Sequence, residues 1–155
     1  MIEIERKFLV LNHSFKTQAY AKNNIIQGYI STVPERTVRV RIKGDKGFLT
    51  IKGISSESGM SRYEWEKSID YVEARQLLLL CEPGIINKTR YEISRGKYIF
   101  EVDVFHDEND GLLIAEIELK SENDTFPIPS WLGPEVTDDP RFYNAYISKN
   151  SFKNW

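Results

Sequence analysis

A chain of 155 residues, 41% hydrophobic and 28% charged, is long enough for one well-formed domain and too short for two of usual size; its net charge of −2 offers no general attraction for nucleic acid. No apolar run approaches the length of a membrane span and no charged segment leads into an apolar one as in a secretory leader, so a soluble cytoplasmic protein is expected. The single cysteine, Cys81, excludes an internal disulfide and a cysteine-rich metal site, and its apolar surroundings predict a packing role.

The chain opens MIEIERKFLV, and a period of two predicts a strand over Ile2 to Val10 with Glu3, Glu5 and Lys7 on one face and Ile4 and Phe8 on the other. The same alternation predicts strands over Ile25 to Ser31, Thr37 to Lys43, Phe48 to Lys52 and Arg62 to Ser68, with the serine-rich Ser55 to Ser61 as a polar hairpin loop. Asp70 with Glu73 resembles a capping box, and Tyr71, Ala74, Leu77, Leu78 and Cys81 at helical spacing predict a helix that Pro83-Gly84 stops. Strands resume over Ile86 to Ser94, Tyr98 to Phe105 and Leu113 to Lys120. Turn signals at Gly44-Asp45-Lys46-Gly47, Arg95-Gly96 and Glu108-Asn109-Asp110-Gly111 predict antiparallel hairpins. Thr125 to Trp131, with two prolines, reads as a surface connection, and Asp139-Pro140 predicts the start of a second helix carrying Phe142, Tyr143, Tyr146 and Ile147.

Sorting the strands by parity separates two chemistries. One face carries Glu3, Glu5, Lys7, Arg39, Arg41, Thr50, Lys52, Glu64, Glu66, Lys88, Arg90, Glu101, Asp103, Glu116 and Glu118. The other carries Ile4, Phe8, Val38, Val40, Ile42, Leu49, Ile51, Trp65, Phe100, Val102 and Ile117. An ordinary half-buried sheet would turn the second set to a core and the first to water. Against this, the polar face is almost purely acid and base, which suggests mutual neutralisation, and the apolar helical stripes need a greasy wall to cover. Both are met by a closed barrel of about eight strands with its charged face inward. Strand-spaced carboxylates are hard oxygen ligands for Mg²⁺ or Mn²⁺, while Arg and Lys grip phosphate oxygens, so the implied guest is a metal-bound polyphosphate. His13 and His106 stand alone without metal-ligand spacing, and no Walker-type glycine loop is present.

At these residues the chain resembles the CYTH superfamily, also called triphosphate tunnel metalloenzymes. Glu3-Ile4-Glu5-Arg6-Lys7 matches its N-terminal Glu-x-Glu-x-Lys signature. Val38-Arg39-Val40-Arg41, Leu49-Thr50-Ile51-Lys52, Tyr63-Glu64-Trp65-Glu66, Lys88-Thr89-Arg90, Phe100-Glu101-Val102-Asp103, Ala115-Glu116-Ile117-Glu118-Leu119 and Glu135-Val136-Thr137-Asp138-Asp139 follow in order, so the match runs from Met1 to about Ile147.

The resemblance implies a mainly β fold, an eight-stranded antiparallel tunnel barrel with a few helices outside, that hydrolyses or cyclises triphosphates with Mg²⁺ or Mn²⁺. Glu3, Glu5, Glu116 and Glu118 are then the leading metal ligands, with Glu64, Glu66, Glu101 and Asp103 as additional ligands or water-positioning groups. Lys7, Arg39, Arg41, Lys52, Lys88 and Arg90 bind the triphosphate. Lys7, Glu5 and Glu118 are the expected catalytic groups, with Tyr29 assisting Lys7 or, alternatively, sitting on the outer wall. A short chain without an appended domain is closest in character to inorganic tripolyphosphatases. The alternatives are a class IV adenylate cyclase, a nucleoside or thiamine triphosphatase, and a non-catalytic polyphosphate-binding module. Trp131 and Trp155 are expected to pack on the barrel or on a neighbouring subunit, and spare apolar outer wall suggests a homodimer.

Overall fold

The computed structural model describes residues 1–155. Nine strands are present: β1 (Ile2–Val10), β2 (Ala21–Ser31), β3 (Thr37–Lys43), β4 (Lys46–Lys52), β5 (Ser61–Ile69), β6 (Ile86–Arg95), β7 (Tyr98–Phe105), β8 (Leu113–Glu118) and β9 (Leu132–Glu135). The helices are α1 (Phe15–Gln18), α2 (Tyr71–Leu78) and α3 (Asn144–Lys149). None is long and apolar enough to cross a membrane.

The strands run in the order β5-β4-β3-β2-β6-β7-β8-β1-β9, all neighbours antiparallel, and an additional β5–β1 pairing closes eight of them into a barrel. The closing strand β1 divides its outer edge. Ile2, Glu3 and Ile4 pair with Tyr63, Arg62 and Ser61 of β5, whereas Phe8 and Val10 pair with Glu135 and Leu132 of β9. Its other edge is continuous, Glu5 facing Glu118 and Lys7 facing Glu116 on β8. Two-residue turns join β3 to β4 and β6 to β7. Gly44 and Gly96 sit at their first central positions with φ of 62° and 61°, the left-handed value that a type II′ hairpin demands there.

The hydrophobic core lies outside the barrel, in three pads. Phe8, Ile93, Phe100, Val102, Ala115 and Ile117 on the outer wall pack against Phe15 of α1 and against Trp131, which is fully buried and donates its indole N–H to Gln18 Oε1 at 3.0 Å. Ile86, Phe105, Leu112 and Ile114 meet Val136, Phe142 and Ile147 of the C-terminal segment. Val40 and Ile42 are covered by Ala74 of α2, with Leu77, Leu78 and Cys81 around them. Asp70 caps α2 as expected, accepting from the Val72 N–H at 3.0 Å. Trp155 packs edge-on against Phe142 and Phe152.

β4 starts early, at Lys46, β8 ends early, at Glu118, and the short α1 is unexpected; three further departures are larger. β2 begins four residues early, at Ala21, because Ala21 to Asn24 find partners on β6. β9 lies just beyond the expected surface connection and is a strand because β5 leaves the upper edge of β1 free for it. The second helix is split: Pro140–Phe142 form a 3-10 turn, and Tyr143 is extended (φ −77°, ψ 136°) before α3 begins.

Candidate active site: a tunnel of paired charges

Except on β2, which presents Tyr29 to the interior, the inward face of each barrel strand is the charged one. It encloses a cavity of about 580 Å³ lined by Glu3, Glu5 and Lys7 of β1, Arg39 and Arg41 of β3, Lys52 of β4, Glu64 and Glu66 of β5, Lys88 and Arg90 of β6, Glu101 of β7 and Glu116 and Glu118 of β8. Tyr29 is on this wall as well, not outside it. At the opposite end, a depression beside the β6–β7 hairpin shares Glu101 and Glu118 with the main cavity, so these two carboxylates stand between the two openings.

Acid and base are interleaved around the wall. Lys52 Nζ donates to Glu3 Oε1 at 2.7 Å and lies 3.4 Å from Glu64. Lys7 Nζ lies 3.3 Å from Glu5 and 3.6 Å from Glu116. Glu66 accepts from the Thr50 hydroxyl at 2.7 Å and faces Arg39 at 3.5 Å and Arg41 at 3.8 Å. Arg90 reaches Glu101 at 3.2 Å and Glu116 at 3.5 Å. Charges this withdrawn from water persist only when neutralised in this way or by a ligand.

The titration behaviour follows. Burial disfavours the Lys7 ammonium, yet Glu116 and Glu5 outweigh it and raise its pKa. Burial likewise works against the Glu5 carboxylate, but Lys7 and Lys52 hold its pKa below the ordinary value. Arg41 is pushed down to about 10 by burial and by the neighbouring charges of Arg39 and Arg90. Glu118 is raised by burial and by repulsion from Glu3, Glu64, Glu101 and Glu5, and it is the one tunnel carboxylate in no ion pair. The cavity therefore holds positive charge around Arg39 and Arg41 that attracts an anion, and negative charge at Glu118 that attracts a cation.

Asp103 shares the inward parity but does not line the cavity. Fully buried behind Arg90, it accepts from Arg90 Nε at 2.8 Å, from Arg90 Nη2 at 2.9 Å, and pairs with Lys88 Nζ at 2.8 Å. With both oxygens engaged by these two bases, it orients them, and this is where its geometry parts from that of the other expected metal ligands.

No three carboxylates or imidazoles converge into a ready-made metal cage. The donor set nevertheless fits a hard divalent cation such as Mg²⁺, which takes one or two carboxylates and completes its shell with phosphate oxygens and water. The repulsion concentrated on Glu118 is the feature such a cation would relieve.

Several lining groups were not among the expected site residues. Arg62 lines the cavity while its guanidinium is braced by the Gly53 carbonyl and the Thr37 hydroxyl. The serine-rich loop contributes Ser55, Gly59 and Met60, and Ser58 and Ser61 are tied to Glu122. The C-terminal segment closes one side with Tyr143, Asn144, Tyr146 and Lys149. The Tyr143 ring lies 5.7 Å from Lys7 Nζ, and its hydroxyl donates to the Thr137 carbonyl at 3.3 Å. Nothing in the sequence marks these residues, because Tyr143 and Tyr146 read there as part of an ordinary helical face, and only the structure shows Tyr143 extended.

A closed antiparallel barrel with its core outside and interleaved acids and bases inside defines a class of tunnel proteins built to hold a highly charged small ligand. Residues 1–143 match the CYTH domain model, and the chain belongs to that family. It is 46% identical over 155 residues to the inorganic triphosphatase of Acetivibrio thermocellus, covering 99% of this chain and 97% of that protein. It is 38% identical over 153 residues to the inorganic triphosphatase of Nitrosomonas europaea, covering 96% and 97% of the two chains. The crystal structure of the inorganic triphosphatase NE1496 superposes with a TM-score of 0.66 at 33% identity, covering 94% of this chain and 97% of that one.

Proposed function

We propose that this chain is a divalent-metal-dependent triphosphatase that cleaves inorganic triphosphate, with water, to pyrophosphate and phosphate. The observation that carries this reading is the inward charge pattern, a base-rich wall and an unpaired carboxylate in one cavity, in a chain similar over its whole length to inorganic triphosphatases. The whole chain acts as one domain in this reading.

Lys7, Arg39, Arg41, Lys52, Lys88 and Arg90 bind and orient the triphosphate, exchanging their resting carboxylate partners for phosphate oxygens. Glu3, Glu5, Glu116 and Glu118 hold the cation, and Glu64, Glu66 and Glu101 position water around it; Asp103 is assigned instead to fixing Lys88 and Arg90. Bound Mg²⁺ or Mn²⁺ supplies charge neutralisation at the phosphate oxygens and activation of the attacking water. Lys7 stays protonated, since Glu5 and Glu116 flank it, and so delivers full positive charge to the reacting end. Tyr29, on the same wall, is the candidate assistant to it.

Incubation of the purified protein with tripolyphosphate or ATP, each with Mg²⁺, Mn²⁺ or chelator, tests this. Metal-dependent release of phosphate and pyrophosphate from tripolyphosphate, far faster than any cleavage of ATP, is expected; cyclic AMP or ADP as main product would replace the reading with a cyclase or a nucleotidase.

The exposed apolar wall made by the cross-strand pairs Ile2 with Tyr63 and Ile51 with Trp65 supports a homodimer, and light scattering that returns a monomer mass at all concentrations would remove it. The lone thiol and the small anionic substrate support a cytoplasmic setting.

A further inference from the structure

Asn144, the first residue of α3, sits on the cavity wall and joins two buried side chains from different strands. Its Oδ1 accepts from Lys88 Nζ at 2.9 Å and from Gln27 Nε2 at 3.1 Å. An ammonium only donates, so the amide has one allowed orientation: oxygen toward Lys88, NH₂ away from it. Gln27 reinforces that orientation. It is fully buried, it spends its NH₂ group on the same oxygen, and its own Oε1 is left without a hydrogen-bond partner. The Asn144 oxygen is thereby saturated, while its Nδ2 makes no hydrogen bond within the protein and borders the cavity.

We infer that Asn144 is a phosphate-binding residue whose Nδ2 hydrogens donate to triphosphate oxygens while its oxygen holds Lys88 in place. This rests on the triphosphate reading above and adds a ligand-contacting group from outside the barrel strands. Its neutrality is the telling property. A carboxylate here would hold Lys88 equally well but would cancel its charge and repel the anion, whereas an amide accepts from the ammonium, leaves its charge available and offers two donors of its own. Only a residue that both positions a cation and meets an anion needs both ends of an amide.

The test uses the full-length protein with tripolyphosphate in EDTA, which prevents turnover. In ¹⁵N-labelled protein, the Asn144 side-chain amide resonance, assigned by its loss in Asn144→Asp, is expected to shift and to gain protection from solvent exchange as tripolyphosphate is added. By calorimetry, Asn144→Ala and Asn144→Asp are each expected to weaken binding about tenfold or more, since one lacks the donor and the other replaces it with a negative acceptor. A resonance unmoved at saturation, or Asn144→Ala binding as tightly as wild type, overturns the inference and leaves the triphosphatase reading standing. Wild-type protein that neither binds nor cleaves tripolyphosphate overturns the reading itself. Should Asn144→Ala fail to fold, the wild-type resonance decides alone.

Discussion

Lys88 Nζ lies 2.8 Å from Asp103 Oδ2 in a position where both side chains are sealed from solvent. Asp103 is nonetheless shared with Arg90, so it cannot neutralise both bases. Burial, with Arg90 repulsion, pushes Lys88 down to about 8 despite Asp103 and Glu116.

The consequence for pH has two opposite signs. Triphosphate affinity is expected to decline as the pH passes about 8, because Lys88 loses its charge in the free protein. Stability moves the other way: with its folded pKa below its ordinary value of 10.5, Lys88 binds fewer protons when folded between about 8 and 10.5, so its contribution rises across that window and is absent below about 8. Tripolyphosphate binding in EDTA and urea denaturation at pH 7 and 9.5, with Lys88→Met as reference, check both.

Asp103→Asn leaves two buried cations short of their shared carboxylate. A loss of about 3–5 kcal/mol is expected by analogy with other broken buried pairs. For a chain of this size that is a fall in Tm of about 10 °C, measurable by calorimetry. The triphosphate KM should also rise, since Arg90 and Lys88 lose the group that aims them.

Glu118→Gln separates stability from activity. Removing the repelled carboxylate relieves Glu3, Glu64 and Glu101, and because Glu118 is partly exposed the gain in stability should be only a few tenths of a kcal/mol. Turnover should fall about 100-fold or more if this carboxylate helps hold the cation. The rise in Tm that Mg²⁺ or Mn²⁺ gives the wild type should shrink in the variant, which a thermal scan with and without metal will read.

Gly84 has φ of 104° and lies against the Ser148 carbonyl, where a Cβ would fall within that oxygen's van der Waals surface. Gly84→Ala should therefore displace α3 and, with it, Tyr146, Asn144 and Lys149 on the cavity wall. A raised KM for triphosphate, with a smaller change in kcat, is the expected outcome in steady-state kinetics.

Much of this arrangement is legible in the sequence because a strand's period of two sorts side chains to opposite faces whatever the register of its neighbours. Glu3, Glu5 and Lys7 could be assigned to one face from β1 alone. Parity gives a face but not a depth: Asp103 has the right parity, and only the reach of Arg90 over it shows that it supports the wall without forming it. β9 escaped because Leu132-Gly133-Pro134-Glu135 has little strand character, and its pairing depends on where β5 leaves β1. Asn144 was invisible for a related reason, since its meaning lies in Lys88 and Gln27 on distant strands.

The divided edge of β1 also governs when the site can exist. Its Lys7 N–H is held by the Thr137 hydroxyl, 130 residues further along, and Glu5 faces Glu118 of the last barrel strand. During synthesis, Ile2 to Ile4 can pair with β5 comparatively early, whereas Arg6 to Val10 must wait for β8 and β9, far along the chain, before their strand neighbours exist. The hairpins between can form locally and early, but the polyphosphate-facing wall arises in one late ring closure. Regain of enzyme activity on refolding is thus a clock for that closure, lagging behind the growth of β-sheet signal by the time the two ends of the chain take to find each other.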